Sequence, residues 1–152
     1  MVLLRGFSQK PRWPQMGDVF GLRAAAIAGY PMYRGVSKLI GMQVLETGAS
    51  LSEELETLEK RWADFDFFYV HVKKIDSAGE DGDFDRKVSL IEEVDRHLPR
   101  LLELKPDVLI VTGDHSTPAV LRSHSWHPVP VLFHSAYCPG RIMSSISENA
   151  RA

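Results

Sequence analysis

The chain has 152 residues, 44% of them hydrophobic and 25% charged, and its 18 basic and 20 acidic side chains leave a formal net charge of −2. This length supports one core with a modest sheet, and the balanced charge, without long single-sign runs, excludes a nucleic-acid footprint. A lone cysteine, Cys138, excludes an internal disulfide framework, while the absence of any apolar run near about 18 residues or of a signal-peptide pattern predicts a cytoplasmic protein with no membrane partner.

Residues 1 to 20, with Pro11, Trp13, Pro14 and Gly17, are irregular, and a regular alternation of elements begins near Gly21. Arg23 to Ala28 is a predicted strand, Pro31 to Ile40 a helix and Gln43 to Glu46 a short strand. Ser50 and Glu53 have the capping-box spacing, and Leu51, Leu55, Leu58 and Trp62 form one apolar stripe of the helix that follows. Asp66 to Val72 is a predicted buried strand, emptying into an acidic loop, 73 to 83, with Asp76, Glu80, Asp81 and Asp83. Lys73 and Lys74 border that loop and balance its charge. Val88, Ile91, Val94 and Leu98 mark another helix, which Pro99 interrupts or kinks. Val108 to Val111 is a continuous aliphatic run suited to a strand buried on both faces, and Val129 to His134 is a further strand. This alternation predicts an α/β fold: a mostly parallel sheet with helices on both faces.

The chemistry is concentrated where strands end. Asp114 and His115 follow the 108 to 111 run directly, at the position where ligands bind in open α/β sheets. The competing explanation is an N-cap aspartate beside a surface histidine. His124 places another imidazole ahead of the last strand, and the acidic stretch supplies carboxylates. Imidazole and carboxylate together suit divalent cations, and phosphoryl-transfer sites commonly hold two of them about 3.5–4 Å apart. His127 is a candidate replacement ligand or an ordinary loop residue; His71 and His134 read as structural; Trp126 either shields the site or packs.

Three stretches taken together, Asp76-Ser-Ala-Gly-Glu-Asp-Gly-Asp83, Thr112-Gly-Asp-His-Ser-Thr-Pro118 and His124-Ser-Trp-His-Pro-Val-Pro130, resemble in order and spacing the metal motifs of archaeal-type cofactor-independent phosphoglycerate mutases, members of the alkaline phosphatase superfamily. Leu3 to Gly6, Gly21 to Ala28 and Arg34 to Met42 extend the resemblance to about Ser135. It implies an incomplete alkaline-phosphatase-like fold with two divalent ions, manganese, magnesium or zinc. Asp76 and His124 match ligands of one ion, Asp114 and His115 ligands of the other, and Arg5 and Arg34 match phosphate- or carboxylate-binding arginines.

Two departures qualify the resemblance. The family has histidine where this chain has Glu80, which either hardens the site toward manganese or magnesium, manganese being favoured, or no longer ligates. The family's phosphorylated serine lies in a half-domain with no counterpart here, so no catalytic nucleophile is assigned. The resemblance thus implies the carboxyl-terminal part of a mutase that interconverts 3- and 2-phosphoglycerate, inactive in isolation. Residues 1–20 would be a remnant of an inserted substrate-handling domain and 21–152 the metal-binding part. Its partners would be phosphoglycerate in the intact enzyme, and the missing amino-terminal half or a second copy. Two alternatives stay open: a metal-dependent phosphatase or related phosphoryl hydrolase of the same superfamily, and a non-catalytic metal-binding or partner-packing domain.

Overall fold

The computed structural model describes residues 9–138, which fall into two compact units divided between Val72 and Lys73. Among the described residues no helix is long and apolar enough to cross a membrane.

The first unit comprises α1 (Met16–Phe20), β1 (Ala24–Ala28), α2 (Pro31–Leu39), β2 (Gln43–Val44), α3 (Leu51–Lys60), a 3-10 turn (Trp62–Asp64) and β3 (Phe67–His71). Its three strands form a wholly parallel sheet in the order β2-β1-β3. The central strand is Ala-Ala-Ala-Ile-Ala, a weak strand former by propensity, yet all five residues are buried. Small side chains let covering elements approach closely, and tertiary packing overrides propensity. Ala24, Ala26 and Met42 cluster with Met16, Ile40, Val44 and Tyr69, while α3 packs against β1 and buries Leu51, Leu55 and Leu58.

Two local devices set this register. The Ser50 hydroxyl accepts from the Glu53 amide and the Glu53 carboxylate accepts from the Ser50 amide, completing the expected capping box of α3. Ahead of β1 and β3, Asp66 accepts from the Arg23 amide at 2.9 Å and from its guanidinium at 2.7 and 3.0 Å, fixing Ala24 opposite Phe67. These hydrogen bonds hold the Asp66 carboxyl down at a pKa of about 2, against an ordinary 3.8. Ahead of Gly21, the Met16 amide donates to the Ile40 carbonyl at 2.8 Å and the Gln15 side-chain amide to the Leu39 carbonyl at 3.0 Å.

The second unit comprises α4 (Lys74–Asp81), α5 (Phe84–Glu103), β4 (Val108–Thr112) and β5 (Val131–Ser135). Several expectations are corrected here. The acidic stretch is a helix, α4, ended by Gly82 in the left-handed conformation at φ 76°. Asp76 in its first turn favours the helix dipole, and its four-residue spacing from Glu80 puts both carboxylates on one helical face. Pro99 does not end α5, which continues to Glu103. β4 is not buried on both faces: its residues alternate, Val108 and Ile110 being 48% and 53% exposed. β4 and β5 pair antiparallel, so the parallel arrangement of the first unit is not repeated in this ribbon. A continuous aliphatic run allows either pairing; here the 113 to 130 connection contains no helix of the kind that parallel crossovers use.

Candidate metal centre

Antiparallel pairing is what gathers the histidines. Thr112 at the end of β4 lies opposite Val131 at the start of β5, so the connection between them opens and closes at the same end of the ribbon. Within that connection Ser116 and Ser125 form an isolated antiparallel bridge, the Ser125 amide donating to the Ser116 carbonyl at 2.9 Å. Each serine is adjacent to a candidate ligand, and the His115 and His124 rings consequently stand 4.0 Å apart between centroids.

Helix α4 brings the carboxylates. Asp76, His115 and His124 each offer a ligand atom within 4.8 Å of the others. His124 Nε2 lies 3.7 Å from Asp76 Oδ1 and 3.4 Å from Glu80 Oε1. His115 Nδ1 lies 4.0 Å from Asp76 Oδ1, and its Nε2 lies 3.6 Å from Asp114 Oδ2. No helix begins at Asp114, which excludes the capping explanation; its carboxylate instead accepts from the His115 amide at 3.1 Å. All five expected donors are therefore together in one unit. A hard-to-borderline donor set of carboxylates and imidazoles at these separations fits a divalent ion, whose ligand bonds of about 2.0–2.2 Å span oxygen–nitrogen gaps of this size.

Asp76 is the hub. Burial pushes its pKa up, but hydrogen bonds from Lys73 and Thr117, with the positive charge of Lys73, outweigh that and leave it lowered. Lys73 Nζ also lies 3.7 Å from Glu80, so this one ammonium is shared between Asp76 and Glu80 and offsets part of their charge. Thr117 escaped the sequence analysis although it stands inside the quoted motif. It is only 4% exposed, and its hydroxyl bridges Asp76 Oδ1 and, at 3.1 Å, His115 Nδ1. Its carbonyl accepts from Lys87 Nζ of α5 at 2.5 Å and approaches Gly79 so closely that a Cβ there would sit 2.3 Å away. Gly79 thus permits the contact between α4 and the 116 to 118 turn.

His127 is outside the ligand cluster, accepting or donating through Nδ1 to Ser125 at 2.9 Å and stacking on Trp126 at 4.9 Å. Trp126, 88% exposed, neither shields a site nor packs into a core. His134 is exposed on β5, while His71 stacks on Tyr33 with centroids 3.6 Å apart. Arg34, in the first unit, is ion-paired with Glu46, and Arg5 lies outside the described residues.

A parallel α/β unit and a carboxylate–imidazole cluster are marks of metal-dependent α/β enzymes. The family model described as the metalloenzyme superfamily matches residues 2–149, and the chain belongs to that superfamily. It is 58% identical over 146 residues, 96% of this chain and 36% of the relative, to a Thermotoga neapolitana protein named "Probable 2,3-bisphosphoglycerate-independent phosphoglycerate mutase". An Aquifex aeolicus protein of the same name is 55% identical, over 97% of this chain and 36% of its own length. Among solved structures, a Pyrococcus horikoshii protein superposes with a TM-score of 0.76 at 27% identity, covering 80% of this chain and 35% of that one. The cofactor-independent phosphoglycerate mutase of Thermoplasma acidophilum superposes at 0.61 and 25% identity, covering 83% and 30%. The chain thus spans about a third of the length of the relatives it matches.

Proposed function

We propose that this chain carries the metal-binding portion of a cofactor-independent phosphoglycerate mutase, with Asp76, Glu80 and His124 holding one divalent ion and Asp114 and His115 another. The observation that carries this reading is the gathering of the five donors: Asp76, His115 and His124 converge to within 4.8 Å, with Glu80 3.4 Å from His124 and Asp114 3.6 Å from His115. Bound divalent ions would supply electrostatic stabilisation of phosphate oxygens and activation of a hydroxyl nucleophile. The chain's own groups do the rest: Thr117 orients two ligands, Lys73 offsets part of the carboxylates' charge, and Arg34 and Arg5 bind the glycerate's anionic groups. Glu80, a carboxylate where the family has imidazole, hardens the donor set and favours manganese.

In this reading residues 1–20 are a remnant of the substrate-handling insertion and 21–152 the carboxyl-terminal part of the metal-binding domain, working in the cytoplasm in glycolysis. The nucleophilic serine comes from sequence that this chain lacks, and the chain alone turns nothing over. A complementing amino-terminal half, or a second copy, is the partner. Relatives about three times as long, 58% and 55% identical, support this division.

The test is a chimera in which this chain replaces the matching third of the Thermotoga neapolitana relative. Mutase turnover in manganese, lost on Asp76→Asn, supports the proposal; a folded, manganese-loaded chimera without turnover, beside an active parent, contradicts it. The pairing of Arg34 with Glu46 favours one alternative, a phosphoryl hydrolase that keeps the metal residues and does not use Arg34 for substrate. Phosphate release from p-nitrophenyl phosphate without mutase turnover would distinguish it.

A further inference from the structure

We propose that Thr117 fixes the tautomer of His115, so that Nε2 and not Nδ1 faces a bound ion; this deepens the metal-centre reading and rests on it. A threonine hydroxyl has one hydrogen to donate and lone pairs to accept with. Thr117 Oγ1 touches two groups, Asp76 Oδ1 and His115 Nδ1, the latter at 3.1 Å. Asp76 carries the Lys73 ammonium on its other oxygen, Oδ2, and is a carboxylate that can only accept. The hydroxyl hydrogen therefore goes to Asp76, and the Thr117 oxygen has only lone pairs left for the ring. His115 Nδ1 must donate, which leaves the lone pair of the neutral imidazole on Nε2.

The opposite orientation, hydroxyl to Nδ1, would set the Thr117 oxygen against a carboxylate oxygen with no hydrogen between them. Thr117 cannot swing away from the choice. It is buried, its carbonyl is held by Lys87, and Gly79 closes against it.

The consequence is a division of labour among the five donors. His115 Nδ1, the nitrogen 4.0 Å from Asp76 Oδ1, is engaged by Thr117. Nε2 instead lies 3.6 Å from Asp114 Oδ2, a gap one ion can span with bonds of about 2.0–2.2 Å. His124 Nε2, at 3.7 Å from Asp76 and 3.4 Å from Glu80, forms the second set. Thr117 is thus a positioning residue between the two sets, linking a ligand of one to a ligand of the other.

The test combines ¹⁵N–¹H correlation spectra of the histidine rings in the metal-free chain with calorimetric titration of Mn²⁺, on wild type, Thr117→Val and Thr117→Ser. Expected are an Nδ1-protonated His115 in wild type, a mixed tautomer in Thr117→Val with affinity reduced about 10- to 100-fold, and near wild-type behaviour in Thr117→Ser. An Nε2-protonated His115 in a wild-type chain that binds Mn²⁺ overturns this inference alone. A wild-type chain that binds no Mn²⁺ overturns the metal centre with it. Equal losses in Thr117→Ser and Thr117→Val show a steric role and also overturn it.

Discussion

Replacing Gly79 by alanine tests the contact that holds α4 against the 116 to 118 turn, beside the candidate metal ligands. Alanine normally stabilises a helix relative to glycine by up to about 1 kcal/mol, so propensity alone predicts a gain. In α4 the new Cβ would stand 2.3 Å from the Thr117 carbonyl oxygen and 3.0 Å from both Lys87 Nζ and Thr117 Cγ2. The lysine tip can move, but the carbonyl is backbone, and a tolerable contact requires the helix and turn to separate by roughly 1 Å, an overpacking cost of about 1–3 kcal/mol. The net expectation is a destabilisation of about 1–2 kcal/mol, or roughly 2–8 °C in Tm for a chain of this size. Because Thr117 bridges Asp76 and His115, the same displacement should weaken Mn²⁺ binding about tenfold. Gly35→Ala is the matched control: Gly35 lies in α2 with nothing within 4 Å of where a Cβ would stand, and that variant should gain about 0.5–1 kcal/mol. Urea unfolding and calorimetry on both variants decide the matter. A Gly79→Ala protein as stabilised as Gly35→Ala, with unchanged Mn²⁺ affinity, would refute the close-approach argument.

Other outcomes follow from the same geometry. Asp66 has its folded pKa lowered to about 2, so its pairing with Arg23 contributes stability that is present above pH 4 and is lost as pH falls through about 2; urea midpoints between pH 5 and 2 should fall less steeply in Asp66→Asn than in wild type. Glu80→His should raise the ratio of zinc to manganese affinity about tenfold, measured by competition titration, because imidazole softens the donor set; an unchanged ratio would place Glu80 outside the ligand set. His127→Ala should leave Mn²⁺ affinity within about twofold, since that ring bonds Ser125 and stacks on Trp126. Ser50→Ala should cost about 1 kcal/mol in urea unfolding through loss of the α3 cap.

The parts of this molecule most legible in its sequence are those where one local rule dominates. Ser50 and Glu53 specify a cap within one turn of helix, and the aliphatic run ahead of Asp114 and His115 specifies the strand that these two residues follow. Harder to read were features decided by tertiary contact. Two glycines and a run of acids between 76 and 83 resemble a loop, yet Gly79 lies inside α4, where Thr117 leaves no room for a Cβ, and Gly82 is the stop signal. The aliphatic run of β4 suits burial on both faces, but its only partner strand among the described residues is β5, and its residues remain half exposed. Thr117 carried no signal of its own: a threonine before proline reads as a turn, and only the fold brings it between Asp76 and His115.

The most direct test of the central claim is a calorimetric titration of Mn²⁺ into the metal-free chain, repeated on Asp76→Asn and on His124→Ala. Saturable binding by the wild-type chain, weakened at least tenfold in both variants while their far-ultraviolet spectra stay unchanged, is the predicted result. Binding that is absent from wild type, or equal in all three proteins, would contradict the assignment of this cluster as a metal centre.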